Sequence, residues 1–279
     1  MAFAERLERR LTSGLEVLGL TLDDEQQAAL LAFIDELQRW NRSYNLTAVR
    51  DPLDMVTRHL LDSLAVLPWV GEGPLLDAGT GAGLPGVPLA IARPRLQVTL
   101  LDSAGKKVRF LNHVRRTLGL DNVHPVQARL ETFAPDAPFA TVISRAFASL
   151  SEFAAAVHAM HRGAPFAAPR LLAMKGRAPQ AEIDALPDDV RVEAVERLPP
   201  APLLQGREYV LRCEILVGGD IEQEPEEGQD IEPVGRHAGY DHRLRLGVVR
   251  DAPEPHGGAP RHDRAELGDP DPGPTDRHR

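Results

Sequence analysis

Apolar positions change period along the chain. In residues 1–20, Leu7, Leu11, Leu15 and Leu18 recur at spacings of three and four, the stripe of an amphipathic helix. Thr21-Leu22-Asp23-Asp24 caps a second helix running through Trp40, with Leu30, Phe33, Ile34 and Leu37 on one face. A third helix is expected from Asp54 to Leu67; Pro68, Gly71 and Gly73 then close a helical region over 1–70. From residue 74, short apolar runs alternate with helical stretches. Strands are expected at 74–78, 96–102, 122–128, 140–145, 170–175, 190–197 and 207–217, and helices at about 85–93, 104–118, 148–162 and 177–186. This alternation predicts an α/β domain over 71–218, a seven-stranded, mainly parallel, Rossmann-like sheet with helices on both faces. The last two strands have no helix between them, and the final one is expected to be antiparallel.

Beyond residue 218 the periodicity is lost. Residues 219–279 hold 8 Pro and 9 Gly but a single aromatic, Tyr240. Such a segment buries too little apolar surface to offset its ordering entropy, so disorder is expected. Five of the ten histidines lie here without metal-ligand spacing, and no metal is expected. The tail also explains the net charge of −9: it carries 15 Asp/Glu against 8 Arg, leaving the first 218 residues at only −2. Overall acidity is therefore a weak argument against a nucleic-acid partner. A lone cysteine, Cys213, excludes a disulfide framework and fits a reducing compartment. No apolar run approaches the roughly 20 residues of a membrane span. The N-terminus starts a charged helix with no signal-peptide core. A soluble, cytoplasmic, monomeric protein is expected, with no membrane partner.

The chemistry concentrates in Leu75-Leu76-Asp77-Ala78-Gly79-Thr80-Gly81-Ala82-Gly83-Leu84-Pro85-Gly86, a buried-strand run ending in an acid and then a glycine ladder. Asp102 ends the next strand about 20 residues on, where an acid meets ribose hydroxyls; a helix cap is the bland alternative. The glycine spacing departs from G-x-G-x-x-G, whose helix N-terminus receives a pyrophosphate. S-adenosylmethionine has no pyrophosphate, so the pattern favours it over a nicotinamide or flavin dinucleotide, or a loop with no ligand. The fold class is therefore read as a class I S-adenosylmethionine-dependent methyltransferase with an N-terminal helical extension. Leu130-Glu131 follows the third strand, where an adenine pocket would lie. Arg145, in Ser144-Arg145-Ala146, follows the fourth strand and faces the reaction zone. Lys106 and Arg109 share a helix face and suit a phosphate backbone, whereas Lys107 reads as a solvated cation. The three lysines, Lys106, Lys107 and Lys175, stand out among 32 basic residues. The absence of an Asn/Asp-Pro-Pro-aromatic motif after the fourth strand argues against exocyclic amine methylation. A single cysteine excludes the covalent route to cytosine C5 that needs a Cys pair. Two polar clusters, Arg39-Trp40-Asn41 through Thr47 and Arg58-His59-x-x-Asp62-Ser63, are either substrate-facing surface or inter-helix hydrogen bonding.

Taken together, Asn45-Leu46-Thr47, Arg58-His59-x-x-Asp62-Ser63-Leu64, the glycine run from Asp77 to Gly86, Leu101-Asp102-Ser103, Lys106-x-x-Arg109-Phe110-Leu111 and Ser144-Arg145-Ala146 closely resemble the bacterial 16S rRNA guanine-N7 methyltransferases, the glucose-inhibited division protein B or RsmG family. The resemblance covers about residues 10–217, and the tail from about 219 departs from it. It implies methylation at N7 of a guanine in the 530 loop of 16S rRNA, with the small ribosomal subunit as partner and S-adenosylmethionine as donor. It implies cofactor contacts at Gly79, Leu84, Leu130, Glu131 and Arg145, joined by Gly81 of the loop and the ribose acid Asp102. Lys106, Arg109 and Lys175 match basic positions facing RNA, with Arg145 and Lys175 placing the base and its phosphate. A small-molecule methyltransferase, a non-catalytic nucleotide- or RNA-binding module and an NAD-dependent oxidoreductase are the alternatives left open.

Overall fold

The predicted strands form β1 (Leu75–Ala78), β2 (Val98–Asp102), β3 (Val123–Gln127), β4 (Thr141–Ser144), β5 (Arg170–Lys175), β6 (Val190–Arg197) and β7 (Tyr209–Ile215). They build one sheet in the order β3-β2-β1-β4-β5-β7-β6, parallel except for β7, which runs antiparallel to both β5 and β6. The order reverses between β1 and β4, the switch point where ligands of open α/β sheets bind. The computed structural model describes residues 3–145, 147, 149–165, 167–176, 179–198 and 209–215. The tail 219–279, expected to be disordered, lies outside the described residues, as does Ala146.

Alternation along the strands feeds two cores. Leu75, Leu100, Ile143 and Leu172 face one layer, and Leu76, Leu101, Val142 and Leu171 face the other. Helices α5 (Gly86–Ala92) and α6 (Gly105–Thr117) cover the first face, and α7 (Leu150–His161) the second. The helix expected over 177–186 is a shorter α8 (Gln180–Ile183) among the described residues.

The N-terminal helices join the first core. Helix α1 (Phe3–Leu18) buries Leu7, Leu11 and Leu15, as its stripe predicts. Helix α2 (Asp24–Tyr44) starts at a capping box in which Asp23 and Gln26 satisfy each other's backbone amides, a device contributing about 1 kcal/mol. It ends at Asn45 in the left-handed conformation. The third helical segment begins earlier than expected. Asp51 caps α3 (Pro52–Met55), the chain widens to a π-helical stretch at Val56–Leu61, and it closes as α4 (Asp62–Leu64). No helix among the described residues is long and apolar enough to cross a membrane.

Helix α1 reaches the π-helical stretch through Gly14. A Cβ at this position would lie 2.1 Å from Leu61 Cδ1. Alanine favours an exposed helix interior by about 1 kcal/mol, but overpacking a buried contact costs about 1–3 kcal/mol. Gly14→Ala is therefore expected to lower stability by about 1–2 kcal/mol in urea unfolding; an increase would show that Leu61 repacks without strain.

Candidate active site

The loop after β1 is built around one carboxylate. Asp77 is fully buried on the α5 side of the sheet, where its Oδ2 accepts the Thr80 hydroxyl at 2.5 Å and the Gly86 amide at 2.8 Å. Gly86 has no room for a side chain: a Cβ there would lie 2.2 Å from Leu100 Cδ2 and 2.8 Å from the Asp77 oxygen. These contacts pull the chain back over the strand end. Burial pushes the Asp77 carboxyl up to about 6, against the hydrogen bonds from Thr80 and Gly86, which favour its charged form.

Between these anchors, Gly79 (φ +68°) and Gly81 (φ +63°) take a left-handed backbone that side chains rarely adopt. Open space lies where a Gly79 Cβ would project. The Gly81 amide donates to Asp102 Oδ2 at 3.0 Å, so the loop also leans on the acid that ends β2. Asp102 Oδ1 accepts the Ala104 amide at 2.9 Å, and Lys107 Nζ sits 3.0 Å from Oδ2. Lys107 is thus no solvated cation, contrary to the sequence reading. Position five on from Asp102 brings it back over the strand end, and its side chain is 32% exposed. Three donors leave one of the roughly four acceptor sites of the Asp102 carboxylate for a ligand hydroxyl. A glycine cradle with free space above it, beside an acid with remaining acceptor capacity, fits the nucleoside of S-adenosylmethionine.

The other expected residues lie along the same C-terminal edge of the sheet. Leu84 is buried in the core on the α5 side and Leu130 in the core on the α7 side. Glu131 is exposed on the single 3₁₀ turn Leu130–Thr132 after β3. Arg145 follows β4, next to β1, but its guanidinium is already engaged. Nη1 donates to Asp62 Oδ2 at 3.1 Å and to the Arg58 carbonyl of the π-helical stretch at 3.2 Å. Lys175 ends β5 with Nζ 2.7 Å from Glu182 Oε2, which also accepts the Leu150 amide at the start of α7. The structure therefore holds Arg145 and Lys175 on different partners. Lys106 and Arg109 are exposed on α6, and Lys106 Nζ donates to the Tyr44 carbonyl at 3.3 Å.

The two polar clusters meet in an inter-helix lock. Asn41 donates to the carbonyls of Thr47 and Val49, and Thr47 Oγ1 lies 2.9 Å from His59 Nε2. Burial, then the nearby Arg145 charge, lowers the His59 pKa to about 4, so the imidazole is neutral at physiological pH.

A family model described as GidB, rRNA small subunit methyltransferase G, matches residues 26–208. A protein named ribosomal RNA small subunit methyltransferase G from Escherichia coli O17:K52:H18 (strain UMN026 / ExPEC) is 46% identical over 202 residues, 72% of this chain and 95% of that protein. This chain belongs to the rRNA small subunit methyltransferase G family. A methyltransferase G from Cronobacter sakazakii (strain ATCC BAA-894) is 48% identical over 201 residues, again 72% of this chain and 95% of the relative. Among solved structures, a SAM-dependent methyltransferase from Aquifex aeolicus aligns with TM-score 0.45 at 18% identity, covering 66% of this chain and 98% of that one. The methyltransferase G match takes in the Asp77 loop, Asp102 and the Arg145–Asp62 pair, and it stops short of the tail.

The pH dependence of the Asp77 anchor has a definite sign. A carboxyl whose folded pKa lies above its unfolded one favours folding most when protonated, and that contribution is lost as pH rises from about 4 through about 6. His59, with a lowered folded pKa, acts in the opposite sense over an overlapping range, so a wild-type melt alone superposes the two. Comparison with Asp77→Asn separates them. From pH 7 to pH 4, wild type is expected to gain about 2–3 kcal/mol on the variant in denaturant unfolding; a pH-independent difference would contradict the buried-carboxyl assignment.

Proposed function

We propose that this protein transfers the methyl group of S-adenosylmethionine to N7 of a guanine in the 530 loop of 16S rRNA. The observation that carries the reading is the coincidence of a nucleoside-shaped Asp77–Gly81–Asp102 cradle with a chain matching methyltransferase G proteins over 95% of their length. Asp77 and Gly86 shape the loop, Gly79 and Gly81 give close backbone approach, and Asp102 holds the ribose. Bound there, S-adenosylmethionine supplies an electrophilic sulfonium methyl.

Guanine N7 carries an available lone pair, so the residues around it need no strong base. This agrees with a neutral His59 and with an Asp77 committed to the loop. The protein's contribution is alignment, which accounts for up to roughly 7–11 kcal/mol in well-oriented systems. Arg145 is the residue placed to orient the base: it projects from β4 at the switch point, held by Asp62 and the Arg58 carbonyl. Lys175 at the end of β5 steadies the neighbouring phosphate after exchanging Glu182 for it.

The deciding experiment is transfer from labelled S-adenosylmethionine to small subunits lacking the modification, with the product mapped by N7-specific strand cleavage. Label at one guanine of the 530 loop is the expected result; label elsewhere, or on free metabolites alone, would replace this reading. In the same assay Arg145→Ala, with its fold checked by thermal melting, is expected to lose at least about hundredfold in turnover. Normal turnover by that variant would remove Arg145 from the mechanism.

A further inference from the structure

The C-terminal turn of α2 and helix α6 pack antiparallel, and their junction carries an unusual surface. Tyr44 meets Lys106 at one end, and Trp40 lies on Phe110 and His113 further along, with ring centroids 5.6 and 5.1 Å away. Residues 37–50 and 105–117 together contain eight Lys or Arg and no carboxylate, whereas the first 218 residues as a whole carry a net charge of −2. Arg42, Lys106 and Arg109 are exposed there. Lys107 and Arg39 are taken up by Asp102 and Glu36.

An aromatic ring stands within this cationic surface. Tyr44 stacks on Trp40 with centroids 5.1 Å apart and planes 28° from parallel, yet the residue is 37% exposed. Its backbone is held from several sides. Arg50 donates to the Asn41 carbonyl and to Asn45 Oδ1, which fixes the left-handed cap, and Lys106 donates to the Tyr44 carbonyl. These bonds order the chain without burying the ring. A rigid, partly exposed aromatic flanked by cations has the chemistry of a stacking platform for a single-stranded nucleic acid, where bases lie on the ring and phosphates on the charges.

We propose that this surface docks an unpaired segment of the RNA substrate, one base stacking on Tyr44 while Arg42, Lys106 and Arg109 take the flanking phosphates. Lys106 opens the helix that follows Asp102, so the platform stands beside the cofactor cradle. The inference rests on the rRNA-methylating reading above and extends it to how the RNA is held.

The test uses methyl transfer to small subunits lacking the modification, with cofactor affinity measured separately. Tyr44→Ala is expected to raise KM for subunits roughly ten- to a hundred-fold with cofactor affinity unchanged, and Tyr44→Phe, which keeps the ring, to stay within about twofold of wild type. The double variant Arg42→Gln/Arg109→Gln is expected to reduce the slope of log binding constant against log salt by about 1.4, the loss of two single-strand phosphate contacts. A wild-type KM in Tyr44→Ala, or a Phe variant as impaired as the Ala one, would overturn the stacking role. An unchanged salt slope would overturn the phosphate contacts and point to a ribosomal protein. Should Tyr44→Ala not fold, Tyr44→Leu, which keeps apolar bulk but no aromatic face, takes its place in the KM comparison with the same expected rise. Failure of wild type to methylate any subunit is a different result: it removes the proposed function, and this docking surface with it.

Discussion

A single buried carboxylate organises the ligand end of this molecule. Asp77 has no exposure to water, and its satisfied oxygen draws a hydroxyl from Thr80 and an amide from Gly86 into the same point. Leaving a charge in that position without donors would cost several kcal/mol, so the loop closes over it. The closure places the Gly81 amide on Asp102, which couples the ends of β1 and β2 through three residues of loop and one second acid. The shape of the glycine loop thus depends on a carboxylate with no exposure to water.

The helical N-terminal region and the sheet are joined at the same end by polar contacts and along their length by apolar ones. Leu11, Phe33 and Leu61 pack in one continuous core with Leu75, Leu100 and Phe110. At the rim, Arg145 reaches from β4 to Asp62 and to a carbonyl of the π-helical stretch, while Thr47 meets His59. π-helical turns recur at functional sites because the widened turn re-aims its carbonyls. Here one such carbonyl holds the guanidinium beside the switch point.

Periodic features were legible in the sequence. All seven strands lie where apolar runs stop and start, and the Asp77-to-Gly86 run and Asp102 announce their positions by residue type and spacing. Pairings set by three-dimensional phase were not. Lys107 looks like a surface cation until the turn from β2 into α6 brings it over Asp102. Arg145 and Asp62 are 83 residues apart, and no local signal links them. Glu182 lies in a four-residue helix whose pattern is too short to show that it faces Lys175. The π-helical stretch has no compositional mark in the sequence. Arg145, Lys106 and Arg109 are marked by their place on strand and helix, the role of Lys175 comes from resemblance, and the structure adds partners for Arg145, Lys106 and Lys175.

The position of β7 has a consequence for biosynthesis. It is the last strand made among the described residues, yet it lies inside the sheet, between β5 and β6. A nascent chain can pair β1 through β5 as they emerge, which assembles the whole ligand edge early. Strand β6 then waits, with its apolar residues and open backbone unpaired, until β7 is threaded beside β5. Domains emerging N-terminal end first at about 5–20 residues per second leave such a strand waiting for seconds. The strands that carry the glycine loop and Asp102 can thus pair before the strands that close the other side of the sheet are available.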